Sequence, residues 1–155
     1  SYIKNVLEAT KTLLKNPNDL DARGIIMMGA SLSTSSRIGI GKEEAYAYDI
    51  YELEFLPEKL FGSSYRRSLT SIFPRFLEAM GKRHAEDVGK YYLDVFGFDS
   101  SIEESSRKLV ALFSDFGVDM YYDGIINREQ VGCIPCDTEL DENEIFEMIN
   151  GVIRK

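Results

Sequence analysis

Apolar residues in this chain recur at intervals of three and four and almost nowhere alternate with period two, which commits most of it to amphipathic helices. Ile3, Val6, Leu7, Leu13 and Leu14 make the first stripe, and Asn16-Pro17-Asn18 stops that helix and restarts the chain. A second helix is expected from about Asp19 to Thr34, with Asn18 capping it and Asp19 and Asp21 near its positive end. The polar, Gly-containing stretch from Ser33 to Gly41 reads as a loop. Glu43 to Phe55 is apolar and aromatic, and Pro57 should end or kink it. Leu69, Ile72, Phe73, Phe76, Leu77 and Met80 form the strongest stripe; Pro74 should kink that helix or mark its first turn, and Gly81 stops it.

The same periodicity continues to the end of the chain. Val88, Tyr91, Tyr92, Val95 and Phe96 are closed by Gly97. Ser101-Ile102-Glu103-Glu104 has capping-box spacing, in which hydroxyl and carboxylate satisfy each other's orphan amides, and it opens a helix carrying Leu109, Leu112, Phe113 and Phe116. Gly117 is placed for a left-handed cap. Asp141 and Glu144 repeat the start signal before Ile145, Met148, Ile149, Val152 and Ile153, in a terminal helix expected over Leu140–Arg154. Val118–Tyr122 is the nearest approach to a strand. These readings predict an all-α bundle of six or seven helices forming a single domain over residues 1–155, without internal repeats.

Composition bounds the function. With 44% apolar and 28% charged residues the chain is ordinary globular material, and at 155 residues it can bury a core without staples. No apolar run approaches the roughly 20 residues of a membrane-spanning helix, and the first residues lack the pattern of a secretory signal, so a cytoplasmic location without membrane attachment is expected. The net charge of −8 is lopsided: residues 101–155 hold twelve Asp/Glu against five Lys/Arg, whereas residues 1–100 hold fourteen against thirteen. Nucleic acid is therefore an unsuitable partner. The local basic cluster of Arg66, Arg67, Arg75, Lys82 and Arg83 has no Gly-rich loop beside it and reads as a solvated face or a surface meeting an acidic one.

Three features carry chemistry in principle. Cys133-Ile134-Pro135-Cys136 has redox-motif spacing and makes Cys133 and Cys136 the candidate redox pair, but its surroundings read as loop and not as a strand leading into a helix. His84, the only histidine, has no neighbouring Ser or Cys to activate and reads as a surface residue. Gly39-Ile40-Gly41-Lys42 lacks the spacing of a phosphate loop.

Several landmarks agree in order and spacing with a known pattern: Asn16-Pro17 followed by Asp21-Ala22-Arg23, Gly29-Ala30-Ser31-Leu32, Ile72-Phe73-Pro74, and Phe113-Ser114-Asp115-Phe116-Gly117-Val118. Across nearly its whole length the chain resembles the C-terminal helical domain of iron-dependent alcohol dehydrogenases, in their butanol dehydrogenase-like branch. The resemblance implies an all-helical domain that packs against an N-terminal nucleotide-binding domain, a homodimer as a candidate assembly, NAD(P) as cofactor and iron or zinc as metal. Neither cofactor is expected to bind this chain alone, because the nucleotide domain and two metal ligands would lie upstream of Ser1. The family's other two ligands are histidines fourteen residues apart, the second nine residues before a proline. Counting from Pro74 puts Tyr65 and Tyr51 at those positions, with Phe55 where a further histidine is common and Gly62 keeping its place.

Tyr51 and Tyr65 could ligate iron only as phenolates, which their ordinary pKa near 10 makes costly, so they read as core or pocket aromatics. Asp49, Glu52 and Glu54 offer oxygen atoms nearby but read as a solvated helix face. The resemblance names no catalytic residue in this chain. It leaves two functions: an alcohol dehydrogenase-like oxidoreductase domain forming the substrate side of a cleft, or a non-catalytic relative whose aromatic-lined cleft holds a ligand or partner helix.

Overall fold

A computed structural model describes residues 2–33 and 49–154 of the chain, which divides into two compact units, Ser1–Tyr46 and Ala47–Lys155. Residues 34–48 lie outside the described part, and with them the loop expected after Ser33, the start of the Glu43–Phe55 segment and the Gly39–Lys42 run. Among the described residues the fold is helical, with one isolated parallel bridge between Tyr122 and Ile153.

The first unit is a helical hairpin, α1 (Tyr2–Lys15) and α2 (Leu20–Ser33), joined by the short turn around Pro17. The cap of α2 is Asp19 and not Asn18: Asp19 Oδ1 accepts the Ala22 amide at 2.9 Å. The helices meet at small residues, Ala9, Ala22 and Gly29 being buried. A Cβ on Gly29 would lie 2.7 Å from Val6 Cγ2, so this position needs a bare backbone, and the Tyr2 hydroxyl donates to the Gly29 carbonyl there. On the opposite side of α2, Leu20, Met27 and Met28 are exposed.

The second unit is built around α5 (Tyr65–Met80), which packs on α3 (Asp49–Leu53), α4 (Phe55–Phe61), α6 (Ala85–Tyr91), α7 (Ile102–Asp115) and α9 (Glu142–Asn150). A short α8 (Arg128–Gly132) packs on α9. Leu53, Leu56, Ile72, Tyr92, Leu109 and Ile149 are almost completely buried and make the centre of the core. Ser68, Ser71, Ser105 and Ser106 are also buried on α5 and α7; Ser106 donates to the Pro74 carbonyl at 3.0 Å.

These helices are shorter and more numerous than the six or seven expected. Pro57 lies in the first turn of α4, four residues after Leu53, where α3 ends; the helical path breaks at Glu54, as a proline that cannot bond to the carbonyl four residues back requires. Pro74 lies well inside α5, which runs on through it. The Val88–Phe96 stripe is α6 followed by a π turn over Tyr92–Phe96, closed by Gly97 at φ 74°. The Ser101 capping box is half made: Ser101 Oγ accepts the Glu104 amide at 3.2 Å, while the Glu104 carboxylate pairs with Arg107 at 2.7 Å. Gly117 takes the left-handed conformation expected of it, at φ 85°. The terminal helix stops at Asn150, not Arg154, because Ile153 leaves it to bridge Tyr122.

Candidate functional site

The two positions singled out by the metal register come from different helices of the second unit. Tyr51 is in α3 and Tyr65 opens α5, and Glu54 and Glu58, with Tyr51, lie close enough to Tyr65 to act on its phenol. Both phenols are 49% exposed, so neither is a core residue. Burial, then the charge of Glu54, then Tyr51 and Glu58, push the Tyr65 phenol above its ordinary value. That is the wrong direction for a phenolate ligand. Phe55 is 45% exposed and brings no donor. The side chains at the family's ligand positions therefore do not fit an iron or zinc site. Among the described residues, no group of three or more His, Cys, Asp and Glu side chains is arranged to hold a metal ion.

Glu54 corrects the reading of a solvated acidic face. It is 3% exposed at the junction of α3 and α4, and its Oε2 has no hydrogen-bond partner among the described residues. Burial and then the neighbouring Glu58 charge raise its carboxyl above the ordinary range. A charge placed one residue after the fully buried Leu53 has no sequence signal of its own. Only the break between α3 and α4, which turns this position inward, explains it.

Tyr51 does line a groove. Ile50, Tyr51, Leu69, Thr70, Phe73 and Phe113 surround about 320 Å³ of open space between α3, α5 and α7. Its walls are almost wholly apolar, with the Tyr51 hydroxyl and Thr70 as the polar groups. Tyr65 and Phe55 are not among its lining residues. The structure thus places one of the two expected tyrosines in an aromatic groove and leaves the other beside the buried carboxyl.

The cysteine pair follows the C-terminus of α8, with Cys133 as its cap. That end carries the negative pole of the helix dipole, whereas thiol activation uses the positive one. Both thiols are free, and burial together with Glu52 pushes the Cys136 thiol up. His84 precedes α6, is exposed, and places Nε2 3.1 Å from Glu139 Oε1.

Two residues of the basic cluster, Arg67 and Arg83, meet acidic partners from the C-terminal part of the chain, whereas Arg75 pairs with Glu78 in its own helix at 2.9 Å. Arg83 makes a two-pronged contact with Glu144 at 2.8 and 2.5 Å. Arg67 donates to the Asp119 carboxylate and the Tyr121 carbonyl while its guanidinium lies 4.4 Å over the Tyr122 ring. Tyr122 in turn stacks on Phe61, and its hydroxyl shares hydrogen bonds with Ser63 at 2.9 Å and Ser71 at 3.0 Å. This arrangement ties the segment after α7 to α4 and α5.

The described residues are helical, and the second unit has a compact core with an aromatic surface depression. Comparisons with protein-family models, curated proteins and solved structures return no match to the chain. Among the described residues no helix is long and apolar enough to cross a membrane.

Proposed function

We propose that this chain is a non-catalytic binding module, a divergent relative of the C-terminal helical domain of iron-dependent alcohol dehydrogenases that uses its aromatic groove to hold a ligand. The carrying observation is that Tyr51, at a position the resemblance assigns to a metal ligand, lines the apolar groove with Phe73 and Phe113. The upward shift of the Tyr65 phenol supports the same reading. A volume of about 320 Å³ is at the lower end of small-molecule sites, which suits a compact apolar or aromatic ligand with one hydroxyl-directed hydrogen bond.

The order of the sequence landmarks favours a second reading, in which the domain belongs to a longer NAD(P)-dependent oxidoreductase acting on alcohols or aldehydes. Metal content separates the two. Protein purified without chelator is assayed by mass spectrometry beside a Tyr51→Phe/Tyr65→Phe variant, and titrated with a small aromatic probe beside Phe113→Ser. Sub-stoichiometric metal in both proteins, with probe binding weakened in Phe113→Ser, is the expected result. One iron or zinc per chain that disappears in the double variant overturns the proposal and establishes phenolate ligation.

A further inference from the structure

A second depression in the same unit, distinct from the aromatic groove, lies between α8 and α9 and encloses about 690 Å³. Its apolar walls are Val131, Ile134, Pro135, Leu140 and Ile145. Its rim is formed by Arg128, Asp141, Glu142 and Asn143. This volume takes several side chains, and it sits within the most acidic stretch of the molecule. Residues 128–147 hold Glu129, Asp137, Glu139, Asp141, Glu142, Glu144 and Glu147 against Arg128 alone.

The one cation of that stretch is already engaged. Arg128 donates to Asn143 Oδ1, lies 4.5 Å over the Phe146 ring and reaches Glu147 at 3.8 Å. Glu144 is neutralised by Arg83 and Glu139 faces His84. Glu142 on the rim, and Glu129, which is not a lining residue but adjoins the rim residue Arg128 in α8, are exposed and make no ion pair among the described residues. An anionic ligand would enter a negative field and find its only counter-charge occupied, whereas a cationic one gains from the rim without breaking a contact.

We propose that the α8–α9 cleft docks a basic amphipathic peptide segment of a partner protein, its apolar side chains entering between Ile134, Leu140 and Ile145 and its lysines or arginines meeting Glu129 and Glu142. The apolar walls supply the anchor pocket and the acidic rim supplies orientation and rate of encounter. Because the rim charges are solvent-exposed, the interaction weakens as salt rises.

The test uses the full chain and a fluorescein-labelled peptide with a Phe and a Leu one helical turn apart and lysines on the remaining face, read by anisotropy. One control peptide replaces Phe and Leu with Ser; another replaces Lys with Glu. Saturable one-to-one binding of the first peptide only is expected, weakening about tenfold in Glu129→Lys/Glu142→Lys and little in Asp94→Lys/Asp99→Lys, which makes the same charge change elsewhere. Helical circular dichroism confirms that both variants fold. Equal binding of the Ser-substituted peptide, equal weakening in the two variants, or absence of binding at low salt each overturns the proposal. None of these outcomes bears on the aromatic-groove reading, which is tested by Phe113→Ser.

Discussion

Replacing Glu54 with Gln should stabilise the protein at neutral pH and do progressively less as the solution is acidified. The carboxyl is 3% exposed and Oε2 has no hydrogen-bond partner among the described residues, so in its ionised form it is a buried acceptor that none of them compensates. Such a group costs about 1–3 kcal/mol, more when charged, and Gln keeps the shape while removing the charge. The sign with pH follows from the raised carboxyl value, caused first by burial and then by Glu58. The folded state binds this proton more tightly than the unfolded chain does. Its contribution to stability is therefore present in full below the ordinary carboxylate range and is lost as pH rises through the folded-state value. Urea unfolding of both proteins, followed by circular dichroism at several pH values between about 4 and 8, reads the difference directly. We expect the variant to gain about 1–3 kcal/mol at the neutral end, with the two curves converging in acid. A difference independent of pH, or a wild type that is the more stable protein at neutral pH, would show that Glu54 has a compensating partner and would refute the reasoning.

Three further outcomes follow from the packing. Tyr122→Phe keeps the stack on Phe61 and the Arg67 contact but removes the hydroxyl shared by Ser63 and Ser71, and should cost about 0.5–1.5 kcal/mol in urea unfolding, because the buried Ser71 still donates to the Ser68 carbonyl. Gly81→Ala would bring a Cβ to 2.6 Å from Ile102 Cδ1 and 2.9 Å from Cγ2. Overpacking of about 1–3 kcal/mol should outweigh the roughly 0.4–1 kcal/mol gained from a stiffer unfolded chain, and a double-mutant cycle with Ile102→Val should recover part of the loss. Arg83→Gln removes the first cause of the depressed Glu144 carboxyl, so it should lower stability at neutral pH and lose its effect as pH falls through the folded-state value of Glu144; a constant effect down to acid would contradict the pairing.

What the sequence makes legible is local chemistry. Gly97 and Gly117 end their elements in the left-handed conformation because a glycine after an apolar stripe has few other uses, and Asp141 with Glu144 forms a complete capping box. The helical class follows from the same periodicity. Less legible is anything decided by contacts distant in the chain. Asn127 and Gln130 form an equally complete capping box, yet the helix they open is five residues long and shows no stripe. Val152 and Ile153 continue the periodicity of α9, but pairing with Tyr122, about thirty residues earlier in the chain, draws them out of it. Glu54 looks like its exposed neighbour Glu52 in sequence and differs only because α3 and α4 are separate helices. In the candidate site, the register that singled out Tyr51 located a wall of the groove, whereas Phe73 and Phe113 were legible only as members of core stripes.

The π turn over Tyr92–Phe96 acts as a gauge of chain length. It accommodates one more residue than an α-helical turn, and about 100° of rotation is associated with each residue of an ordinary helix. Tyr91, Tyr92, Phe96 and Phe98 interlock around this turn, with Phe96 and Phe98 centroids 5.5 Å apart. Deleting the exposed Leu93 would let the turn relax to α geometry, but only by swinging everything on one side of it by that angle. Substitutions here are accordingly a matter of fit, whereas insertions and deletions change which rings face one another, and homologous sequences should vary in residue type across this turn while keeping its length.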